Sequence, residues 1–230
     1  MVRESFERSL QRVQDDLLVM GSMVEEALVK AVDILKRQDL DAAQQLIAQD
    51  RAINEKRFAI ESAALTLIAT QQPMAGDLRV LAAVLEIITE LERIGDYAKG
   101  IAKIALMIGK QPLIKPLIDL PRMAVKASSM LHRALQAFVQ RDVELARAIP
   151  LEDAEIDALY NQVYRELITF IMSDPHTLDQ ATHLLWVGHN LERAADRVTN
   201  ICERVVFTVT GKMEEMDGEG REDLGIEGIA

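Results

Sequence analysis

Apolar residues recur along this chain at spacings of three and four. Leu10, Val13, Leu17, Met20, Val24, Leu28, Ala31 and Leu35 form the first such stripe. Residues at these spacings share one face of an α-helix, so the stripe predicts a long amphipathic helix from 2 to about 37. The run Arg37-Gln38-Asp39-Leu40-Asp41 breaks it, and Asp39 is placed to cap the helix that follows. That second helix runs from about 40 to 70 and includes Leu46, Ile47, Ile53, Ile60, Leu65 and Leu67. It stops before Pro73, which cannot continue a helix. A third helix follows the loop 71–77, with the stripe Leu81, Val84, Ile88, Leu91, Ile94, Ala98, Ile101, Ala105 and Ile108. It ends near Gly109, before a proline-punctuated connector from Pro112 to Pro121.

The pattern then starts again. A fourth helix is predicted from about 121 to 140, and the break Arg141-Asp142-Val143 mirrors Gln38-Asp39-Leu40. A fifth, bent by Pro150, runs to about 172, where Asp174-Pro175 interrupts it as Gln72-Pro73 interrupted the second. A sixth spans 177 to 210 with the stripe Leu184, Val187, Leu191, Ala194, Val198, Ile201 and Val205. Asp39 matches Asp142, and Asp50 and Asn54 match Asp153 and Asp157, all at an offset of 103. Glu92 and Asp96 match Glu192 and Asp196 at an offset of 100. The chain is therefore an internal duplication of roughly 100 residues, too long a period for a solenoid. The fold class that follows is all-α: two repeated antiparallel three-helix bundles, six helices in all. The expected division is 1–111 for the first bundle, 112–120 for a linker, 121–211 for the second bundle and 212–230 for a flexible acidic tail.

Composition narrows the function classes. The 230 residues are 49% hydrophobic but only 4% aromatic, a balance that suits long helices. The formal net charge of −11 disfavours nucleic-acid binding through a general basic surface. The one cysteine, Cys202, excludes an intrachain disulfide and fits a reducing compartment. No apolar run approaches the roughly 18 to 20 residues that span a bilayer, so a cytoplasmic protein without direct membrane insertion is expected. The sequence contains no Gly-rich phosphate loop, nucleophile elbow or Cys-x-x-Cys motif.

The candidate chemistry lies in acids. Glu92-Arg93-Ile94-Gly95-Asp96 and Glu192-Arg193-Ala194-Ala195-Asp196 each place a Glu and an Asp four residues apart. Like charges stacked this way on a helix repel, and a cation or a facing arginine would relieve them. Both pairs lie at the border of the buried stripe. Asp50 with Asn54, and Asp153 with Asp157, form a second pair on the helix before. Antiparallel packing lets each half gather four oxygen-bearing side chains. Such oxygens suit hard cations. The plainer alternative is that Arg93 and Arg193 neutralise the acids in solvated ion pairs worth about 0–1 kcal/mol. His189, three residues before Glu192, shares its face.

These residues resemble the PhoU family of phosphate-uptake regulators. The resemblance rests on the two Glu-Arg-x-x-Asp copies, on Asp-x-x-Ile-Asn at 50–54 and Asp-x-x-Ile-Asp at 153–157, and on the duplicated layout from about 5 to 210. It implies a cytoplasmic, often homodimeric, non-enzymatic negative regulator of phosphate uptake and phosphate-starvation signalling. The implied partners are the ATPase subunit of a phosphate ABC transporter and a membrane sensor histidine kinase. It also implies metal at the paired acids, with iron, magnesium, manganese, calcium or zinc as the cation. By similarity the ligands map to Asp50, Asn54, Glu92 and Asp96, then to Asp153, Asp157, Glu192 and Asp196. The first set departs in Asn54, a neutral ligand, and in Gly100 where the second copy has Asn200; both weaken it as a metal site. The alternative function is a metal-dependent enzyme or metal-storage bundle. That class places Glu-x-x-His on two helices, whereas here only His189-x-x-Glu192 occurs, reversed and unrepeated.

Overall fold

The computed structural model describes residues 2–216, with side chains from Glu4 onward. Seven α-helices account for most of them: α1 (Val2–Arg37), α2 (Leu40–Gln71), α3 (Ala75–Ile108), α4 (Asp119–Gln140), α5 (Val143–Ala148), α6 (Asp153–Ser173) and α7 (Leu178–Thr210). The expected fifth helix is divided into α5 and α6 by a 3₁₀ turn at Pro150–Glu152. Pro150 supplies no N–H to continue the helical ladder, and the chain passes through the turn without leaving the right-handed helical region.

The predicted stripes are the core. Every stripe residue named for α1, α3 and α7 is buried. The breaks behave as their sequence suggested. Asp39 accepts a hydrogen bond from the Ala42 N–H at 3.0 Å, and Asp142 accepts one from the Leu145 N–H at 3.0 Å. Each cap satisfies a donor that the helix start leaves open. In both halves the preceding residue, Gln38 or Arg141, is left-handed, with φ of 54° and 56°.

Helix α2 corrects one expectation. Leu65 is 50% exposed, and the buried positions are Ala43, Leu46, Asp50, Ile53, Ile60, Ala64 and Leu67. Their alternating spacing of three and four would be completed by residue 57, which is Arg57. At an offset of 103 the same strip recurs as Ala146, Ile149, Ile156, Val163 and Leu167, with Asp153 and Tyr160 filling the series. The duplication thus survives as a shared burial register.

Helices α1, α2 and α3 pack on one another, as do α4, α6 and α7. The halves join where α3 meets α7 and α1 meets α4, so α1, α3, α4 and α7 form a central layer with α2 and α6 outside. Both joining pairs are antiparallel. In one, Glu90 faces Arg197 and Asn200, and Glu86 faces Arg204. In the other, Glu25 faces His132, and Gly21 meets Leu135. The connector between α3 and α4 is held by Gln180, which is buried: its side chain donates to the Pro112 carbonyl at 3.1 Å and accepts from the Ile114 N–H. After α7 the chain folds back. Glu214 pairs with Arg147 at 2.9 Å, and the Met216 N–H donates to Glu203 at 2.9 Å. The rest of the expected tail lies outside the described residues. Among the described residues, no helix is long and apolar enough to cross a membrane.

Candidate functional site: two unlike acidic seams

The first acidic set forms where α2 lies against α3. Its centre is Asp50, which occupies a strip position of α2 and is only 7% exposed. A carboxylate there needs compensation, and two groups supply it. The Lys99 ammonium, from α3, donates to Asp50 Oδ2 at 2.6 Å. It also reaches Asp96 Oδ1 at 3.5 Å. Asn54 donates its amide to Asp50 Oδ2 at 3.2 Å, one turn along α2. The hydrogen bond to Asp50 holds the Lys99 ammonium above its ordinary value against the opposing effect of burial.

Glu92 completes the set. Burial raises its carboxyl above the usual range, the neighbouring Asp96 and Asp50 raise it further, and the Arg57 charge opposes them. Gly95, between Glu92 and Asp96, lets the two helices close. A Cβ there would lie 3.3 Å from Ile53 Cδ1. Beside this seam a cavity of about 230 Å³ opens between α1, α2 and α3, with Asp50 and Lys99 on its wall.

The second set forms between α6 and α7 with the same backbone register and different chemistry. Glu192 is half-buried. Burial raises its carboxyl first, then repulsion from Asp196 and Asp157, with His189 and Arg193 opposing. His189 Nδ1 lies 3.3 Å from Glu192 Oε2, and Arg193 donates to Asp196 Oδ2 at 3.1 Å. Asp157 is exposed, and Asp153 is the first residue of α6. At the position of Arg57 stands Tyr160, packed against Gly188, where a Cβ would lie 3.0 Å from the ring. At the position of Lys99 stands Thr199, which is buried.

The structure therefore brings Asp50, Asn54, Glu92 and Asp96 into one electrostatic group, and Asp157, Glu192 and Asp196 into another. Among the described residues, no three His, Cys, Asp or Glu side chains stand as placed in a geometry to hold a metal. The two sets differ in how their donor chemistry fits a cation. The first already contains an ammonium bonded to its deepest carboxylate, so a metal does not fit there. The second is richer in carboxylate oxygens, the donors hard cations take, and Arg193 on Asp196 and His189 beside Glu192 stand within it.

Two readings from sequence change. Lys99 and Arg57, the groups that set the charge of the first seam, were not anticipated. The available signal was Lys99 three residues after Asp96, one turn along the same face. Gly100 and Asn200 do not belong to the acidic sets. Asn200 donates to Glu90 at 3.3 Å across the α3–α7 seam, and a Cβ at Gly100 would lie 3.3 Å from the Asn190 amide. These are reciprocal positions of an antiparallel pair, so their difference concerns how the halves join. Of the two arginines weighed as neutralising partners, Arg193 pairs with Asp196, whereas Arg93 pairs with Glu90 at 3.5 Å.

Comparison with known proteins bears on both halves. The family model for the PhoU domain matches residues 17–105 and 120–205. A phosphate-specific transport system accessory protein PhoU homolog of Clostridium acetobutylicum is 34% identical over 218 residues, covering 94% of this chain and 100% of that protein. The phosphate-specific transport system accessory protein PhoU of Escherichia coli is 35% identical over 207 residues, covering 90% and 86%. The crystal structure of the phosphate transport system regulatory protein PhoU from Streptococcus pneumoniae superposes with a TM-score of 0.84 at 33% identity, covering 91% of this chain and 99% of that one. PhoU from Pseudomonas aeruginosa gives 0.84 at 31% identity, covering 90% and 100%.

Proposed function

The chain belongs to the PhoU family of phosphate-transport accessory and regulatory proteins, and from that premise we propose that it acts by binding, not catalysis, as a negative regulator of phosphate uptake and phosphate-starvation signalling. On this reading it works in the cytoplasm, as a homodimer. Its partners are the ATPase subunit of a phosphate ABC transporter and a membrane sensor histidine kinase. The observation that carries the reading is the family match in both halves, on a fold shared with solved PhoU structures. The physical chemistry agrees with it. Long helices packed into one core present stable faces, and a net charge of −11 steers them toward basic surfaces.

The second acidic set is the one we assign to a cation. Asp153, Asp157, Glu192 and Asp196 would hold it, and its charge would offset the burial and the repulsion from Asp196 and Asp157 that raise Glu192. When bound, the cation would supply positive charge to these acids. The chain's own residues supply the oxygens, and Arg193 and His189 limit the excess negative charge when the cation is absent.

Two measurements test this. Deleting the gene should derepress phosphate-starvation genes in phosphate-rich medium; unchanged expression refutes the regulatory role. Metal analysis after chelation and reloading tests the cation. If the Glu192→Ala, Asp196→Ala protein retains as much metal as the parent, the assignment is wrong.

A further inference from the structure

We propose that the cavity between α1, α2 and α3 is a binding site for a small organic acid, whose carboxylate pairs with Lys30 and whose apolar body fills the space beside Ala27 and Gly95. The second half of the duplication shows what occupies the equivalent place when the chain itself fills it.

The cavity measures about 230 Å³, with an apolar wall at Ala27, Leu46, Ile53 and Gly95 and with Lys30 at its polar side. The α1 stripe carries over to α4 at the offset of 103: Leu17 matches Leu120, Met20 matches Met123, Leu28 matches Leu131 and Leu35 matches Phe138, all of them buried. The residues around the cavity can therefore be matched one by one. Ala27 corresponds to Met130, which is fully buried, and Gly95 corresponds to Ala195 at the offset of 100. Larger side chains thus take up volume that the first half leaves open.

The polar wall changes in step. Lys30 corresponds to Arg133, Met23 to Lys126, Gln49 to Glu152 and Ala52 to Glu155. In the second half these positions meet. Arg133 donates to both Glu152 oxygens, at 2.6 and 2.8 Å, and Lys126 reaches Glu152 at 2.8 Å and Glu155 at 2.5 Å. Glu152 stands in a 3₁₀ turn and Gln49 inside α2, but the buried strip on either side, Leu46 with Ile149 and Ile53 with Ile156, keeps the register. The fold thus places a carboxylate against a cation here, even with an acid at the next position, Asp153. In the first half the cation remains as Lys30, neutral Gln49 stands where the carboxylate was, and there is room beside them. A ligand carboxylate in that room restores the pairing, and the Gln49 amide offers it a second donor.

The other charges of the wall leave this place to an anion. Asp50 is already bonded by Lys99 at 2.6 Å and by Asn54 at 3.2 Å. Glu26 is exposed, where water and salt screen it. Volume sets the size of the ligand. An apolar cavity of roughly 150 Å³ takes benzene, so this one takes a molecule of about nine or ten non-hydrogen atoms, such as a straight-chain monocarboxylate. The bound acid would link outer helix α2 to α1, as Glu152 links the start of α6 to α4.

The test uses the full chain with octanoate as the probe. Calorimetric titration should find one saturable site per chain, and 1-octanol and octylammonium should each bind about tenfold or more weakly. Lys30→Gln, at a partly exposed position, should weaken octanoate about tenfold and leave octanol unchanged. Ala27→Met, which installs the side chain of the second half, should abolish octanoate binding. Methyl NMR of the unaltered chain avoids any dependence on the variants, and saturable shifts should centre on Met23, Ala27 and Ile53. No saturable site, equal affinity for octanol or octylammonium, or shifts centred instead on the exposed Phe58 and Leu65 of α2 would overturn the proposal. So would full octanoate affinity in Lys30→Gln or in folded Ala27→Met.

Discussion

Glu152 offers a quantitative test of how the second seam is held in place. It lies in the 3₁₀ turn immediately before Asp153, the first acid of α6. Arg133 of α4 grips its carboxylate with two hydrogen bonds, at 2.6 and 2.8 Å, and Lys126 adds a contact at 2.8 Å. The Arg133 hydrogen bonds, against the effect of burial, lower the Glu152 carboxyl from 4.5 to about 2. At about 1.36 kcal/mol for each pH unit, that displacement sets a ceiling of roughly 3.4 kcal/mol. The side chain is 29% exposed, so solvent screening reduces the expectation to about 2 kcal/mol. The sign follows from the depressed value. The folded protein binds fewer protons here than the unfolded chain, so this stabilisation is full above pH 4.5 and is lost as pH falls toward 2. Glu152→Gln should therefore lower the urea-unfolding free energy by about 2 kcal/mol at pH 7. The gap from the parent should narrow progressively below pH 4.5. A variant with the parent's midpoint at pH 7, or a gap unchanged at pH 3, would show that the Arg133 fork does not anchor the turn.

Other parts of the fold give further checks. Asp39→Ala and Asp142→Ala each remove one cap hydrogen bond and should each cost about 1 kcal/mol by chemical denaturation. A Cβ at Gly21 would meet Leu135 Cδ1 at 2.1 Å; Gly21→Val should cost about 1–3 kcal/mol by overpacking α1 against α4. Combining it with Leu135→Ala should cost less than the two separate losses together. Burial pushes the Cys202 thiol up to about 12, so a thiol reagent at pH 8 should label the native protein negligibly and the denatured chain readily. The same displacement should make native stability decline as pH climbs from 9 toward 12.

What the sequence disclosed depended on whether the deciding partner was local. The stripes of α1, α3 and α7 were readable because each of these helices buries a broad face in the central layer. Outer helix α2 packs chiefly against α1 and α3, so only a narrow strip is covered and Leu65 falls outside it. The caps at Asp39 and Asp142 needed only their own turn to be recognised. Lys99 was missed because its chief partner, Asp50, is 49 residues away on another helix. Gly100 and Asn200 were assigned to the wrong seam for the same reason. Their contacts, with Asn190 and Glu90, cross between the halves.

The duplicated fold explains why charge, and not architecture, separates the two halves. Packing is carried by apolar strip positions that repeat closely, Ala43 with Ala146, Leu46 with Ile149, Ile53 with Ile156, and Ile60 with Val163. These exchanges keep buried volume near constant, the kind of change cores tolerate. The polar places in the strip obey a different constraint. A buried carboxylate at residue 50 needs a counter-charge, and that charge can come from a side chain or from solution. Lys99 supplies it from within, and the Asn54 amide donates to Asp50 where a carboxylate could only accept. The second half, with Thr199 and Tyr160 at the equivalent places, keeps Asp157 and an elevated Glu192. Placing a carboxylate at residue 54 alone, by Asn54→Asp, should therefore destabilise the protein, because the amide donor to Asp50 is lost and a like charge stands in its place. The denaturation midpoint of that single variant, measured against Lys99→Thr and the double variant, separates a seam governed by charge from one governed by packing. A charge-governed seam predicts strong non-additivity, whereas simple addition of the two effects would refute it.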